Sequence, residues 1–194
     1  MKFLTALTVT ALMMVTPVFA GGHIVWKSVD DESRIAFGSV KSNVAGEVHH
    51  FNKVSGIVKE KGEMAISIDL ASVETYVDIR NERMGEHVFK GDHPKATITG
   101  TINIDQVNSL KPGETKLINV VANLSFAGID NEIDAQMMVA RLSQNRVLVT
   151  TADFVMVSTE DLGIEPGIDK LMQLAGLESI TRVTPVAVRM VFEK

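Results

Sequence analysis

One stretch, residues 65–104 (AISIDLASVETYVDIRNERMGEHVFKGDHPKATITGTINI), restricts the possible folds more than any other. Apolar residues alternate at Ile66, Ile68 and Leu70, the period breaks in a charged segment with Arg80, Glu82, Arg83 and His87, and alternation resumes at Ala96, Ile98, Gly100, Ile102 and Ile104. Side chains alternate across a strand, so a period of two gives one apolar face; residues three to four apart share one side of a helix. The stretch therefore predicts strand, short helix, loop, strand. On the helix, Met84, His87 and Val88 lie together, as do Tyr76, Ile79, Arg80 and Arg83. Apolar and basic groups on one side suit a plug over the mouth of a sheet or barrel.

The same period recurs on both sides. Residues 23–29 and 34–40 predict two short strands around the Asp30-Asp31-Glu32-Ser33 turn, with Ile35 and Phe37 pointing one way. Residues 47–60 continue as a strand bent near Asn52 and Gly56. A long strand begins near Leu117 with Ile118, Val120, Ala122, Leu124 and Phe126 on one face. Gly128-Ile129-Asp130-Asn131 is expected to turn the chain into Ile133, Ala135, Met137 and Val139, and Ser143-Gln144-Asn145 into Val147 and Val149. Residues 165–177 change to a helical period, with Pro166 in the first turn and Gly176 near the stop. Val186, Val188, Met190 and Phe192 close the pattern as a final strand. About eight or nine strands and two short helices result, which suggests a sandwich or barrel. An up-and-down barrel of about eight strands is just wide enough to be filled by side chains or to hold one small ligand. Ala96, Gly100, Ala122 and Ala135 on the expected inner face would leave room.

Residues 1–20 have the form of a secretory signal peptide: Lys2, an apolar run from Phe3 to Val15, and Val18-Phe19-Ala20 as a small-x-small cleavage site. The run falls short of the roughly 20 apolar residues that span a bilayer. Cleavage would leave residues 21–194 as a single domain in the periplasm or outside the cell, with no stable membrane insertion. The net charge of −5, which becomes −6 without Lys2, argues against nucleic acid or an anionic membrane surface as main partner. The chain has no Cys, so an exported protein of this kind depends on its core rather than on disulfides.

Arg80, Arg83 and His87 are the best candidates to meet a polar or anionic head group, because an Arg fork matches phosphate and carboxylate; pairing with Asp78, Glu82 and Glu86 on a solvated helix is the plainer alternative. Glu47, His49, His50, His87 and His93 match no metal-ligand spacing, and adjacent His49 and His50 face opposite ways on a strand. No metal or cofactor is expected. Nothing resembles a nucleophile motif or a phosphate-binding glycine loop. Phe37, Val48, Phe51, Ile68, Ile98, Val120, Leu124, Phe126, Met137, Phe154 and Met190 form the expected apolar set, either filling a core or lining a cavity.

SIDLASVETYVDIRNERM followed by VFKGDHPKATITGTI resembles the signature of the YceI-like family of secreted lipid-binding proteins. The upstream IAFGSVKSNVAGEVHHFNKVSGIV resembles the family's paired N-terminal strands, and DLGIEPGIDKLMQLAGLESITRVTPVAVRMVF a C-terminal segment found in many members. Two departures stand out: Val44-Ala45-Gly46-Glu47 replaces the usual Ser-x-Val-x-Gly run, and Asn81 stands where an Asp is frequent. The resemblance implies an all-β, lipocalin-like antiparallel barrel whose apolar cavity takes a long-chain ligand, often a polyisoprenoid or a fatty amide or acid, and it does not imply catalysis. The residues expected to contact such a ligand are Phe37, His49, Phe51, Arg80, Arg83, Met84, His87, Ile98, Leu124, Phe126, Met137 and Phe154. The rival readings are an enzyme on a lipid- or quinone-like substrate with His49 or His87 as base, and an envelope accessory protein with a filled barrel. A homodimer is a further expectation.

Overall fold

A computed structural model of the chain describes residues 23–89 and 94–194. The expected signal peptide and His93 lie outside the described residues. The elements are β1 (Ile24–Ser28), β2 (Arg34–Lys41), β3 (Ala45–Phe51), β4 (Val54–Lys59), β5 (Glu63–Asp69), β6 (Val73–Glu74), α1 (Asp78–His87), β7 (Lys95–Thr101), α2 (Ile104–Asn108), β8 (Thr115–Phe126), β9 (Ile129–Ser143), β10 (Arg146–Thr151), β11 (Val155–Ser158), α3 (Glu165–Ala175) and β12 (Val183–Glu193).

Twelve pieces make eight strand lines. β1 and β2 run along β4 and β3, β5 and β6 run along the other side of the same pair, and β10 and β11 both pair with β12. Between them β5–β7, β7–β8, β8–β9 and β9–β10 pair in chain order. Every pairing is antiparallel, and β12 closes the barrel on the first line, through Val186↔Phe37 to Arg189↔Arg34 and then Ser28↔Phe192. This is the antiparallel barrel that the family resemblance implies, and one of the two architectures, sandwich or barrel, that the periodicity suggests.

The first strand line is interrupted at residues 29–33, and two buried hydroxyls replace lost ladder bonds there. Ser28 Oγ accepts from the Gly56 N–H at 2.7 Å, and Ser33 Oγ accepts from the Val191 N–H at 3.2 Å. The break near Asn52 falls between β3 and β4 as expected. At the tight turn before β5, Gly62 has a φ of +88°, and a Cβ there would stand 2.0 Å from the Ile102 carbonyl, so only glycine fits.

Three features differ from the sequence reading. Alternation does not run on to Ile104: β7 stops at Thr101, and Asn103 Oδ1 accepts from the Asp105 N–H at 3.1 Å to cap α2, a third helix. The β8–β9 turn is the two residues Ala127 and Gly128, both at positive φ, so Ile129, Asp130 and Asn131 already belong to the strand. Val48 points outward and is 66% exposed, because His49 takes the inward position.

The barrel's two ends are unlike. At the floor, buried Trp26 lies beneath Arg141 at 5.1 Å and Lys194 at 4.5 Å, and Arg141 Nε donates to the Leu110 carbonyl. Burial, helped by the Arg141 charge, holds the Lys194 amine below its ordinary range. At the mouth, α1 and α3 pack on each other. α3 has Pro166 in its first turn and ends on Gly176 in the left-handed region, as read from the sequence. Contact between the two helices needs Gly167, since a Cβ there would stand 2.3 Å from the His87 carbonyl.

Candidate ligand cavity

Inward side chains of β2, β3, β5, β7, β8, β9, β10, β11 and β12 leave a cavity of about 600 Å³, roofed by α1 and α3. That volume is in the ordinary range for sites that enclose a small molecule. Ala122 and Ala135 lie on its wall, where larger residues would close the space. Phe126 meets Phe89 at 6.0 Å between ring centroids, Phe89 meets Phe51 at 5.7 Å, and Phe51 meets Phe37 at 5.3 Å, an aromatic chain from β8 under α1 to β2.

Among the described wall residues only Val77, Ile79 and Ala175 are exposed. They locate the opening between the start of α1 and the end of α3. The β2–β3 turn stands at the same place: the Ser42 N–H donates to the Ser179 carbonyl at 2.8 Å, and Lys41 bridges Ile180. Exposed Val44 and Tyr76 flank this portal.

Polar wall groups gather on this side. Glu47 Oε1 accepts from Lys41 Nζ at 3.0 Å, and its Oε2 accepts from Arg80 Nη1 at 2.6 Å. Arg80 Nη2 also donates to the Thr75 carbonyl at 2.6 Å. Burial by itself would raise the Glu47 carboxyl, but Lys41 and Arg80 outweigh it and hold the group below its ordinary range. The segment carrying Thr75 is fixed by Asn81, whose Oδ1 accepts from Thr75 Oγ1 at 2.6 Å while its amide donates to Glu74 at 3.1 Å. A carboxylate at position 81 could not make that second bond.

His49 is buried and its Nε2 hydrogen-bonds Ser39 Oγ at 3.0 Å, beside the Phe37 ring. Burial first, and then the Arg80 charge, push the imidazole down to about 4, against the opposing pull of Glu47. The ring is therefore neutral at pH 7. Its Nδ1 is buried without a partner, so a carboxylate that would complete a catalytic triad is missing among the described residues. His50 faces the other side and bonds Asn52. Among the described residues no group of three or more His, Cys, Asp or Glu side chains could hold a metal ion.

Ten of the twelve expected contact residues stand on the cavity wall: Phe37, His49, Phe51, Arg80, Arg83, Met84, Ile98, Leu124, Phe126 and Met137. Two do not. Phe154 falls in the gap between β10 and β11, where alternation lapses, and is 70% exposed. His87 is turned from the cavity, with its imidazole 3.7 Å from Glu86. The sequence reading missed Lys41 as a wall residue and considered Glu47 only as a metal ligand. Each follows an apolar inward series, Ile35–Phe37–Ser39–Lys41 and Phe51–His49–Glu47, and a charge on the inward phase is the signal that finds it.

Closure, all-antiparallel pairing and the enclosed apolar cavity define a lipocalin-like barrel. A family model for the YceI-like domain matches residues 26–182, and the chain belongs to the YceI-like family. It is similar to a polyisoprenoid binding domain from Saccharophagus degradans implicated in plant cell wall breakdown, with 32% identity, 88% of this chain and 99% of that chain covered, and a TM-score of 0.86. Burkholderia cenocepacia BcnA shares the fold at 17% identity, with 84% of this chain and 98% of that chain covered and a TM-score of 0.65. No curated protein matches the chain.

Proposed function

We propose that this protein binds a long-chain amphiphile, of the polyisoprenoid or fatty type, and carries or stores it in the periplasm or outside the cell after removal of residues 1–20. The observation that carries the reading is the apolar cavity of about 600 Å³ with its portal between α1 and α3. Each CH₂ taken from water into such a space contributes about 0.8 kcal/mol, so a chain of modest length gains affinity with few polar contacts. The polar groups near the portal then orient the ligand, with its tail toward Trp26. The 32% identical relative described as a polyisoprenoid binding domain supports this ligand class.

Native mass spectrometry of the mature protein purified from its own periplasm, followed by organic extraction, tests the reading. The expected result is an added mass that resolves into a prenyl or acyl chain. A bare protein mass that persists after incubation with prenyl and fatty lipids overturns it.

A further inference from the structure

The cavity is closed at its floor. Trp26, the chain's one tryptophan, lines it there and is 1% exposed. The wall residues around it, Val58, Val107, Val139, Val147 and Phe192, are all buried, so no opening stands at this end. Against the indole, and off the cavity wall, stand Arg141 and Lys194, 5.1 and 4.5 Å from the ring centroid. Each lies two residues beyond a wall residue, Val139 or Phe192, and so continues an inward phase past the end of the cavity. Arg141 donates from Nε to the Leu110 carbonyl at 3.2 Å and from Nη2 to the Asn108 carbonyl at 3.4 Å, while Lys194 Nζ donates to Asn108 Oδ1 at 3.2 Å. Both cations are thereby tied to the end of α2.

Two layers therefore stop an apolar chain. The first is a wide ring held by two cation–π contacts. Behind it is a charged layer whose hydrogen bonds a hydrocarbon could not replace, so a chain end gains nothing by passing. At about 30 Å³ for each non-hydrogen atom, the share that a water molecule takes in the liquid, a cavity of about 600 Å³ holds about 20 chain carbons, or about four isoprene units. We infer that Trp26 sets the length of chain this cavity accepts: the tail stops against the indole, and isoprene units beyond about the fourth remain outside the barrel. This inference rests on the reading of the cavity as a lipid site and adds a length limit to it.

The test is binding of geraniol, farnesol, geranylgeraniol and hexaprenol to the mature protein, ranked by competition in native mass spectrometry. Each step up to geranylgeraniol is expected to tighten binding about tenfold or more, and the step from there to hexaprenol to change it by less than about threefold. In Trp26→Leu, which keeps an apolar floor with a smaller side chain, that last step is expected to grow to about tenfold. A second readout needs no variant, because the emission of the unaltered protein comes from Trp26 alone. Bromine at the tail end of geranylgeraniol is expected to quench that emission, and bromine beside the hydroxyl to leave it unchanged. Affinity that climbs as steeply to hexaprenol as to geranylgeraniol overturns the length limit and leaves the lipid cavity standing. An unchanged plateau in folded Trp26→Leu, or a tail bromine that does not quench, overturns Trp26 as the stop. Binding of none of the prenols overturns both the limit and the lipid reading.

Discussion

Strands β5, β7, β8 and β9 present Met64, Ile66, Ile98, Val120, Leu124 and Met137 to the cavity and no ionisable group, while β2 and β3 present Lys41, Glu47 and His49 after Ile35, Phe37 and Phe51. Both walls are antiparallel ladders of the same pitch, so backbone geometry does not separate them. What differs is how each wall is compensated. The first needs only close packing, whereas every polar group on the second must find a partner or go without. Cohesion and chain affinity therefore belong to the β5–β9 side, and orientation and charge to the β2–β3 side.

The largest effect is expected from truncating the apolar wall. Phe126 is buried against Phe89, and Phe126→Ala should cost about 3–5 kcal/mol in urea unfolding, the range for a large aromatic removed from a core. A cost below about 1 kcal/mol would mean that this wall does not hold the barrel. Next, Ala135→Phe should put a ring into the cavity and leave the ladder intact. Displacing about four CH₂ groups of ligand is worth about 3 kcal/mol, so retention of a prenyl chain should fall about a hundredfold while the melting curve stays cooperative.

Acid should act through the other wall. His49 titrates at about 4 in the folded barrel against an ordinary 6.5, so the unfolded chain takes up the proton first, and stability declines as pH falls from about 6.5 to about 4. The loss is bounded at about 3 kcal/mol, and Glu47, lowered from 4.5, adds to it from about pH 4.5 downward. Melting temperatures of His49→Gln measured between pH 7 and 5 should be flatter than those of the unaltered protein; parallel curves would remove the His49 contribution. The smallest effect is expected from Glu47→Gln. Its pairs with Lys41 and Arg80 are partly open to solvent, so the loss of stability should be about 1 kcal/mol or less, and a loss as large as that of Phe126→Ala would erase the contrast between the walls.

The apolar wall was the more legible of the two in the sequence. Ile118, Val120, Ala122, Leu124 and Phe126 alternate without a fault, and the structure turns that face inward. Breaks in the period were harder. α2 is five residues long, and Ile102 and Ile104 continue the strand's rhythm across its start, so only the Asn103 cap marks the change. Ala127 at positive φ has no signature, which displaced the β8–β9 turn. His87 illustrates another limit: periodicity assigns a helix face, but the packing that rotates α1 depends on Gly167 of α3, far away in sequence. The volume between the walls was not legible at all, since it depends on how two sets of side chains fail to meet.

The strand that closes the barrel is also the last of its twelve in chain order. Its bond from the Val191 N–H to Ser33 Oγ joins residues 158 positions apart, the kind of contact whose loop-closure entropy delays folding. β12 borders β10 and β11 on one side and β1 and β2 on the other, so the β5–β9 wall can pair without it while the β2–β3 wall keeps an open edge until it docks. Until then the chain has two open sheet edges, and its apolar inner face has no enclosed space to offer.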